Sequence, residues 1–424
     1  MKSTAPDHSD RPLRHCMVVH SHYPHDETRV QRQAEALASQ GIEVEVICLR
    51  YREEPKRDEV GGVKIHRLPV RRQRNRGAAS QLFEYLAFLA LAGLRLGRLH
   101  LARRFDVVQV HNLPDFLVLS ALIPRLMGSK VILDIHDLMP EFYCSRFGCG
   151  LRSWPARLLL LQERICTRFA HHVITVTEAW RQVLISRGLA ENRCSVVMNL
   201  ADSRYFGLDQ AKHSNGDGSE AGQGNGFHLI YHGTLARRYG IDLALQAVRQ
   251  LRPEIPDLSF TIQGRGEDLG RLEGIRSQLN LEDCVEIHSE FLPADQLADL
   301  IRSADLGVVP YRNDLFTDGI LPTKLMEYAA LGVPVVAART SGMASYFNDS
   351  MVQFFSPGDA GELAECIRTL HRHRGRLVQL ASNAAEFNAK HSWPEESGRY
   401  LATVRRLARG ASGSLPPPSP SGRP

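Results

Sequence analysis

The sequence predicts an α/β fold of two doubly wound domains in series. Short apolar runs of strand length alternate with longer segments of helical period through both halves, the order that builds a parallel sheet between helices. A Gly-rich polar stretch interrupts this alternation near the middle, and 424 residues exceed what one hydrophobic core holds.

The elements follow in order. Residues 1–13 are polar and read as a disordered tail. His15 to His20 is a buried strand, and Asp26 caps a helix to about Gln40, which Gly41 closes. Glu43 to Leu49 completes a β-α-β unit, and 63–68 is another strand. Leu82 to Leu94 is an apolar helix flanked by Arg71, Arg72, Arg74 and Arg76 before it and Arg95, Arg98, Arg103 and Arg104 after it. It either packs on the sheet with solvated ends or lies on an anionic membrane surface; its length and Glu84 argue against a span. Strands at 106–111, 130–136, 172–176 and 194–199 alternate with helices at 114–127, 154–170 and 177–187.

Residues 207–226 have little to bury and much backbone entropy to lose, and read as a flexible linker between domains at 14–206 and 227–385. The second half repeats the pattern. Its strands lie at 228–233, 258–264, 284–289, 306–310 and 333–338, and helices include Ile241 to Leu251 and Ala294 to Ser303. Residues 359–390 are helical, a last helix occupies much of 386–409, and 410–424 is a Ser/Pro/Gly-rich disordered tail.

Composition excludes several classes. The chain is 43% apolar and 23% charged, with net charge +5 and no basic stripe interleaved with aromatics, so no nucleic-acid partner is expected. Eight scattered cysteines without a CxxC pair read as reduced thiols of a cytoplasmic protein. The first ten residues lack the apolar core of a signal peptide. His20, His22 and His25 lack a carboxylate or thiol in a known ligand pattern, so no metal is expected.

The most informative stretch is Asp318 to Ala338: loop, short helix, tight turn, buried strand. Pro322 and Thr323 read as start signals, with Thr323 as the capping hydroxyl, and Gly332 as the stop. Lys324 then falls in the first helical turn, where the dipole disfavours a cation unless an anion is bound. Glu327 follows one turn later, and an ionised carboxylate suits a pair of sugar hydroxyls. Phosphate plus ribose is a nucleotide; a solvated ion pair between Lys324 and Glu327 is the alternative.

Pro322-Thr-Lys324-Leu-Met-Glu327-Tyr328-Ala-Ala-Leu-Gly332-Val-Pro334-Val-Val resembles the donor-site signature of family-4 glycosyltransferases of the GT-B fold, in a sub-group carrying Pro-x-Lys-x-x-Glu-Tyr. The resemblance spans roughly 15–408. It implies two Rossmann-like domains facing a central cleft, with the last helix crossing back onto the first domain. It implies retaining, metal-independent transfer of a sugar from a nucleotide-diphosphate sugar to a hydroxyl of a glycan or lipid-linked acceptor, in polysaccharide or glycoconjugate biosynthesis. No cofactor beyond the donor is implied, and a peripheral position on the inner membrane face is compatible.

The resemblance also assigns residues. Glu327 binds ribose, Lys324 and Arg238 hold the diphosphate, and Pro322 belongs to the same donor-binding set. Gly233 and Thr234 form a small-residue turn before Arg238 that can turn N–H groups to an anion. Thr234 stands where many members have Arg, and Tyr239 where they have Lys. Gly264 and Gly266 lie beside the nucleotide or simply make a strand-to-helix turn. The common motif places a first Glu eight residues before Glu327; Gly319 stands there, and Asp318 is the nearest acid, so the contact to the donor sugar falls to Asp318 or to loop N–H groups. His136, at a strand's carboxyl end, is the catalytic-loop histidine that meets the donor sugar, or else a histidine bonded to backbone. Asp26, Arg29, Asp137 and Glu141 are acceptor-side candidates. A sugar-nucleotide epimerase on this fold, or a non-catalytic nucleotide-binding or scaffold protein, are the rival functions.

Overall fold

The strand–helix alternation gives two parallel sheets. The computed structural model describes residues 11–25, 27–51, 53–70, 78–207 and 226–410. Residues 208–225 of the expected linker at 207–226, most of both expected tails, Asp26 and the arginines at 71–76 lie outside them. The chain divides into two units, one built from the chain up to Met198 together with the chain from Pro394, the other from Asn199–Trp393.

The first unit carries β1 (Arg14–His22), β2 (Glu43–Leu49), β3 (Arg57–Val60), β4 (Val63–Leu68), β5 (Val107–His111), β6 (Lys130–Ile135), β7 (His172–Thr175) and β8 (Cys194–Val196) in the order β3-β4-β2-β1-β5-β6-β7-β8. Among the described residues only the β3–β4 pair is antiparallel. β3 is missing from the sequence reading because all four of its residues are exposed and carry no apolar pattern. The central strands are buried almost end to end, as expected where helices cover both faces. The helix predicted at 114–127 is a 3-10 segment, Asp115–Ala121, followed by a short α-helix, Leu122–Leu126. The apolar helix is longer than predicted, Ala78–Arg103.

The second unit carries β9 (Phe227–His232), β10 (Leu258–Gln263), β11 (Val285–His288), β12 (Leu306–Val309), β13 (Val335–Ala338) and β14 (Gln353–Phe355), all parallel, in the order β11-β10-β9-β12-β13-β14. Each order reverses once, between β1 and β5 and between β9 and β12. In open α/β sheets ligands bind at the carboxyl ends of strands beside such a reversal. The last helix, Trp393–Ala408, completes the first unit: Tyr400 Oη donates to Gln109 Oε1 at 2.6 Å, and Glu396 Oε2 accepts the Met198 N–H at 3.0 Å.

Candidate active site

In the second unit the reversal is roofed by the helix Thr323–Ala330. Pro322 is its N-cap and Thr323 the first helical residue, so the expected capping hydroxyl is corrected: no side chain caps this end. The free N–H groups of the first turn therefore sit beside Lys324, which is 7% exposed. Lys324 Nζ lies 3.8 Å from the Tyr231 ring centroid, 5.3 Å from that of Tyr311 and 5.4 Å from that of Tyr239. Among the described residues no carboxylate lies within ion-pair distance of it, so the alternative of a solvated pair with Glu327 does not describe this site. Burial lowers the Lys324 pKa to about 7. Glu327 points to His232, Oε2 to Nε2 3.2 Å, and burial raises its pKa to about 7.

Two turns form the floor. Gly233, at φ 116°, ends β9, and a Cβ there would lie 3.1 Å from Lys324 Nζ. Gly264 and Gly266 follow β10, where a Cβ would come within 1.8 Å of the Gly233 carbonyl oxygen and 1.9 Å of the Leu235 carbonyl oxygen. The Gly-x-Gly pair thus lets two strand-end loops run against each other. Arg238 sits in a 3-10 turn, its guanidinium carbon 5.5 Å from the Tyr239 ring and 6.0 Å from that of Phe316.

In the first unit the reversal carries a buried polar network. Asp134 Oδ1 accepts from Arg29 at 2.9 Å, and Oδ2 accepts from Gln33 and Gln109, each at 3.0 Å. His111 Nδ1 lies 3.1 Å from His136 Nε2 and 3.5 Å from Asp134 Oδ2. Burial lowers the pKa values of His111 and His136 to about 3 and about 4, so both rings are neutral near pH 7. His111 Nε2 is buried without a hydrogen-bond partner. A bare buried N–H is rarer and costlier than a bare lone pair, which places the His111 proton on Nδ1. His136 Nε2 then accepts, and its Nδ1–H is left as a donor. Asn112 holds the loop: its Oδ1 accepts the His136 N–H at 2.8 Å and its Nδ2 donates to the Asp137 carbonyl at 2.7 Å. His111, Asp134 and His136 have metal-ligand spacing. They do not fit a cation, because both Asp134 oxygens are committed to donors and the Arg29 guanidinium occupies that side.

Residues 27–199 match the family described as the glycosyl transferase 4-like domain, and residues 226–373 match glycosyl transferases group 1. The chain is a GT-B glycosyltransferase of the family-4 type. It is similar to a D-inositol 3-phosphate glycosyltransferase of Catenulispora acidiphila, 26% identical with 91% of each chain covered. It is 25% identical to the 2-deoxystreptamine glucosyltransferase of Streptomyces kanamyceticus, over 90% of this chain and 97% of that one. Among solved structures, sucrose-phosphate synthase of Thermosynechococcus elongatus superposes with TM-score 0.74 at 17% identity, covering 94% of this chain and all of that one. Anabaena HepE in complex with UDP-glucose gives 0.67 at 16% identity, covering 93% and 99%.

This glycosyltransferase places its predicted residues unevenly. Gly233, Lys324, Glu327 and Pro322 come together, with Arg238 in the adjoining turn and the exposed Thr234 contributing its carbonyl to Tyr231 Oη at 2.8 Å. Asp318 accepts the Ser341 N–H at 3.0 Å and so pins its loop to the start of the short helix Ser341–Ala344. Arg29 and Glu141 are not presented to an acceptor: Arg29 is buried on Asp134 and the Val197 carbonyl, and Glu141 is buried against Arg187, which also binds Glu163 at 2.9 Å. Asp137 is half-buried in the loop that Asn112 holds. Sequence reasoning missed Tyr231, His232, His111 and Asp134. Their signal was a polar or aromatic residue at the carboxyl end of an otherwise apolar strand.

Proposed function

We propose that the chain moves a sugar from a nucleotide-diphosphate sugar to a hydroxyl of a glycan or lipid-linked acceptor, with retention of configuration and without a metal. The observation that carries this is Lys324: a buried ammonium at a helix N-terminus, walled by three tyrosines and one turn from Glu327. An anionic diphosphate answers both the dipole and the burial. Glu327 accepts from the ribose hydroxyls, with the His232 ring 3.2 Å behind its carboxylate. As the anomeric C–O bond breaks, charge gathers on the leaving diphosphate, where Lys324, Arg238 and the helix N–H groups stabilise it. The acceptor oxygen bonds the anomeric carbon, and its proton passes to a leaving phosphate oxygen. The neutral His136 donates from Nδ1 to a sugar hydroxyl, and Asp318 or the loop N–H groups beside it meet the sugar. The reading extends to polysaccharide or glycoconjugate synthesis on a cytoplasmic membrane face, approached through the helix Ala78–Arg103. No described helix is long and apolar enough to cross a membrane.

Thermal shift against UDP-, GDP-, ADP- and dTDP-sugars tests the donor half. One base is expected to stabilise the chain by about 2.7 kcal/mol at a hundred times its Kd, and Glu327→Ala to lose that shift. Folded protein that responds to none of them overturns the reading. Product analysis with the responding donor separates glycosyl transfer from epimerisation.

A further inference from the structure

Three helical segments lie side by side on one face of the first unit's sheet. They are Ala78–Arg103, Asp115–Leu126 and Trp154–Phe169. Each belongs to a crossover running the same way along the sheet, and right-handed crossovers put such segments on one face. They touch in sequence: a Cβ on Gly97 would meet Ile123 Cδ1 at 2.9 Å, and Arg125 Nε donates to the Phe169 carbonyl at 2.8 Å.

The outer side of this layer is apolar. Phe83, Leu126 and Trp154 are 74%, 75% and 73% exposed. Leu158, Leu161 and Ile165 continue from Trp154 along one side of their helix, at the spacing of a single apolar stripe, and are exposed too. A soluble surface scatters such residues singly; a stripe repeated on adjoining helices marks a docking face.

Charge on the layer has one sign. Its carboxylates, Glu84, Asp115 and Glu163, all turn inward, to His20, Asn112 and Arg187. Arg98, Arg157, Arg164 and Arg168 are exposed. A cleft of about 380 Å³ opens beside the Trp154 stripe and is lined by the exposed Arg164 and Arg168, by Glu163 and Arg187, which pair with each other, and by Arg193, which donates to the Thr167 carbonyl. The exposed guanidinium groups of Arg164 and Arg168 match phosphate.

We propose that this three-helix layer docks on an anionic lipid bilayer, with Trp154 and its stripe entering the headgroup boundary and the arginine cleft taking a lipid phosphate. Three segments that expose apolar and basic side chains and turn their own carboxylates inward suit a surface of negative potential. The inference deepens the reading of a lipid-linked acceptor and rests on it for the purpose of docking.

The test is flotation of the full chain with vesicles of phosphatidylcholine alone and of phosphatidylcholine mixed with phosphatidylglycerol. Wild type is expected to float with the mixed vesicles only and to be released by salt. Arg164→Glu with Arg168→Glu lowers that partitioning by more than about tenfold, since each basic residue near the surface contributes about fivefold. Trp154→Ser with Leu161→Ser lowers it at every salt concentration. Circular dichroism and the nucleotide thermal shift of these variants stay at the wild-type values, because the substituted residues lie in neither strand-end site. Wild type that floats with neither vesicle, or equally with both, overturns the proposal. So does a dimer in solution that Trp154→Ser with Leu161→Ser dissociates, which would assign the face to a second copy. In each case a surviving nucleotide shift shows that the donor reading stands although the docking face has failed.

Discussion

A lysine in the first turn of a helix works against the dipole, and burying it adds a desolvation cost. Lys324 carries both, relieved in part by the Tyr231 face at 3.8 Å. Its pKa, lowered by burial to about 7, follows from that environment. Between pH 7 and the ordinary lysine value the unfolded chain then binds one proton more than the folded chain, so ligand-free stability rises with pH across that window. A bound diphosphate reverses the shift by supplying the missing negative charge. Binding of the responding nucleoside diphosphate at pH 8 should therefore take up protons, because the phosphates are already ionised there and the lysine is not. Calorimetry in buffers of different ionisation enthalpy reads this number directly. Lys324→Met should abolish the uptake and flatten the pH slope of stability. Uptake that persists in the variant would move the proton to another group.

The strand-end loops act as a pair. Gly233 N–H donates to the Gln263 carbonyl and Leu235 N–H to the Arg265 carbonyl, which stitches the loop after β9 to the loop after β10. Gly264→Ala would put a methyl 1.8 Å from the Gly233 oxygen, and Gly233 has only 3.1 Å between its own Cβ position and Lys324 Nζ. The displaced loop has to move toward the lysine or away from β10. The variant is expected to lose about 2 kcal/mol or more of stability and most of its nucleotide-dependent thermal shift. Gly270→Ala, helical and with no atom within 4 Å of the added carbon, is the matched control and should be neutral or slightly stabilising. The same loops show what the sequence could express. Strand β9, the helix Ile241–Leu251 and the turn at Gly332 were legible because period and punctuation are local. The proximity of Gly264 to Gly233 and of Tyr311 to Lys324 was not, because it arises from pairing β9 with both β10 and β12. The motif therefore identified Lys324 and Glu327, but the aromatic wall that gives the lysine its chemistry came only with the fold.

The path of the whole chain has a consequence for stability. It builds one unit, leaves at Met198 to build the second, and returns at Pro394 to complete the first. The returning helix is no accessory. Tyr400 and Val404 are buried, Glu396 accepts the Met198 N–H, and Tyr400 Oη binds the same Gln109 that holds Asp134. Through that network the helix supports Arg29 and the His111–His136 pair at the strand ends. A chain ending at Trp393 would expose the apolar surface under Tyr400 and Val404, about 1.5–3 kcal/mol for each side chain, and leave Gln109 short of a donor. Together these losses are a large fraction of the stability of a typical domain. The second unit retains its six strands and the site around Lys324. Hydrogen exchange followed peptide by peptide should show β1, β5 and β6 losing protection in the truncated chain while β9, β12 and β13 keep theirs, with the nucleotide thermal shift retained in the second unit's transition. Equal loss of protection in both sheets would mean that the units fold as one, and unchanged protection of β5 would mean that the terminal helix contributes little to the core it covers.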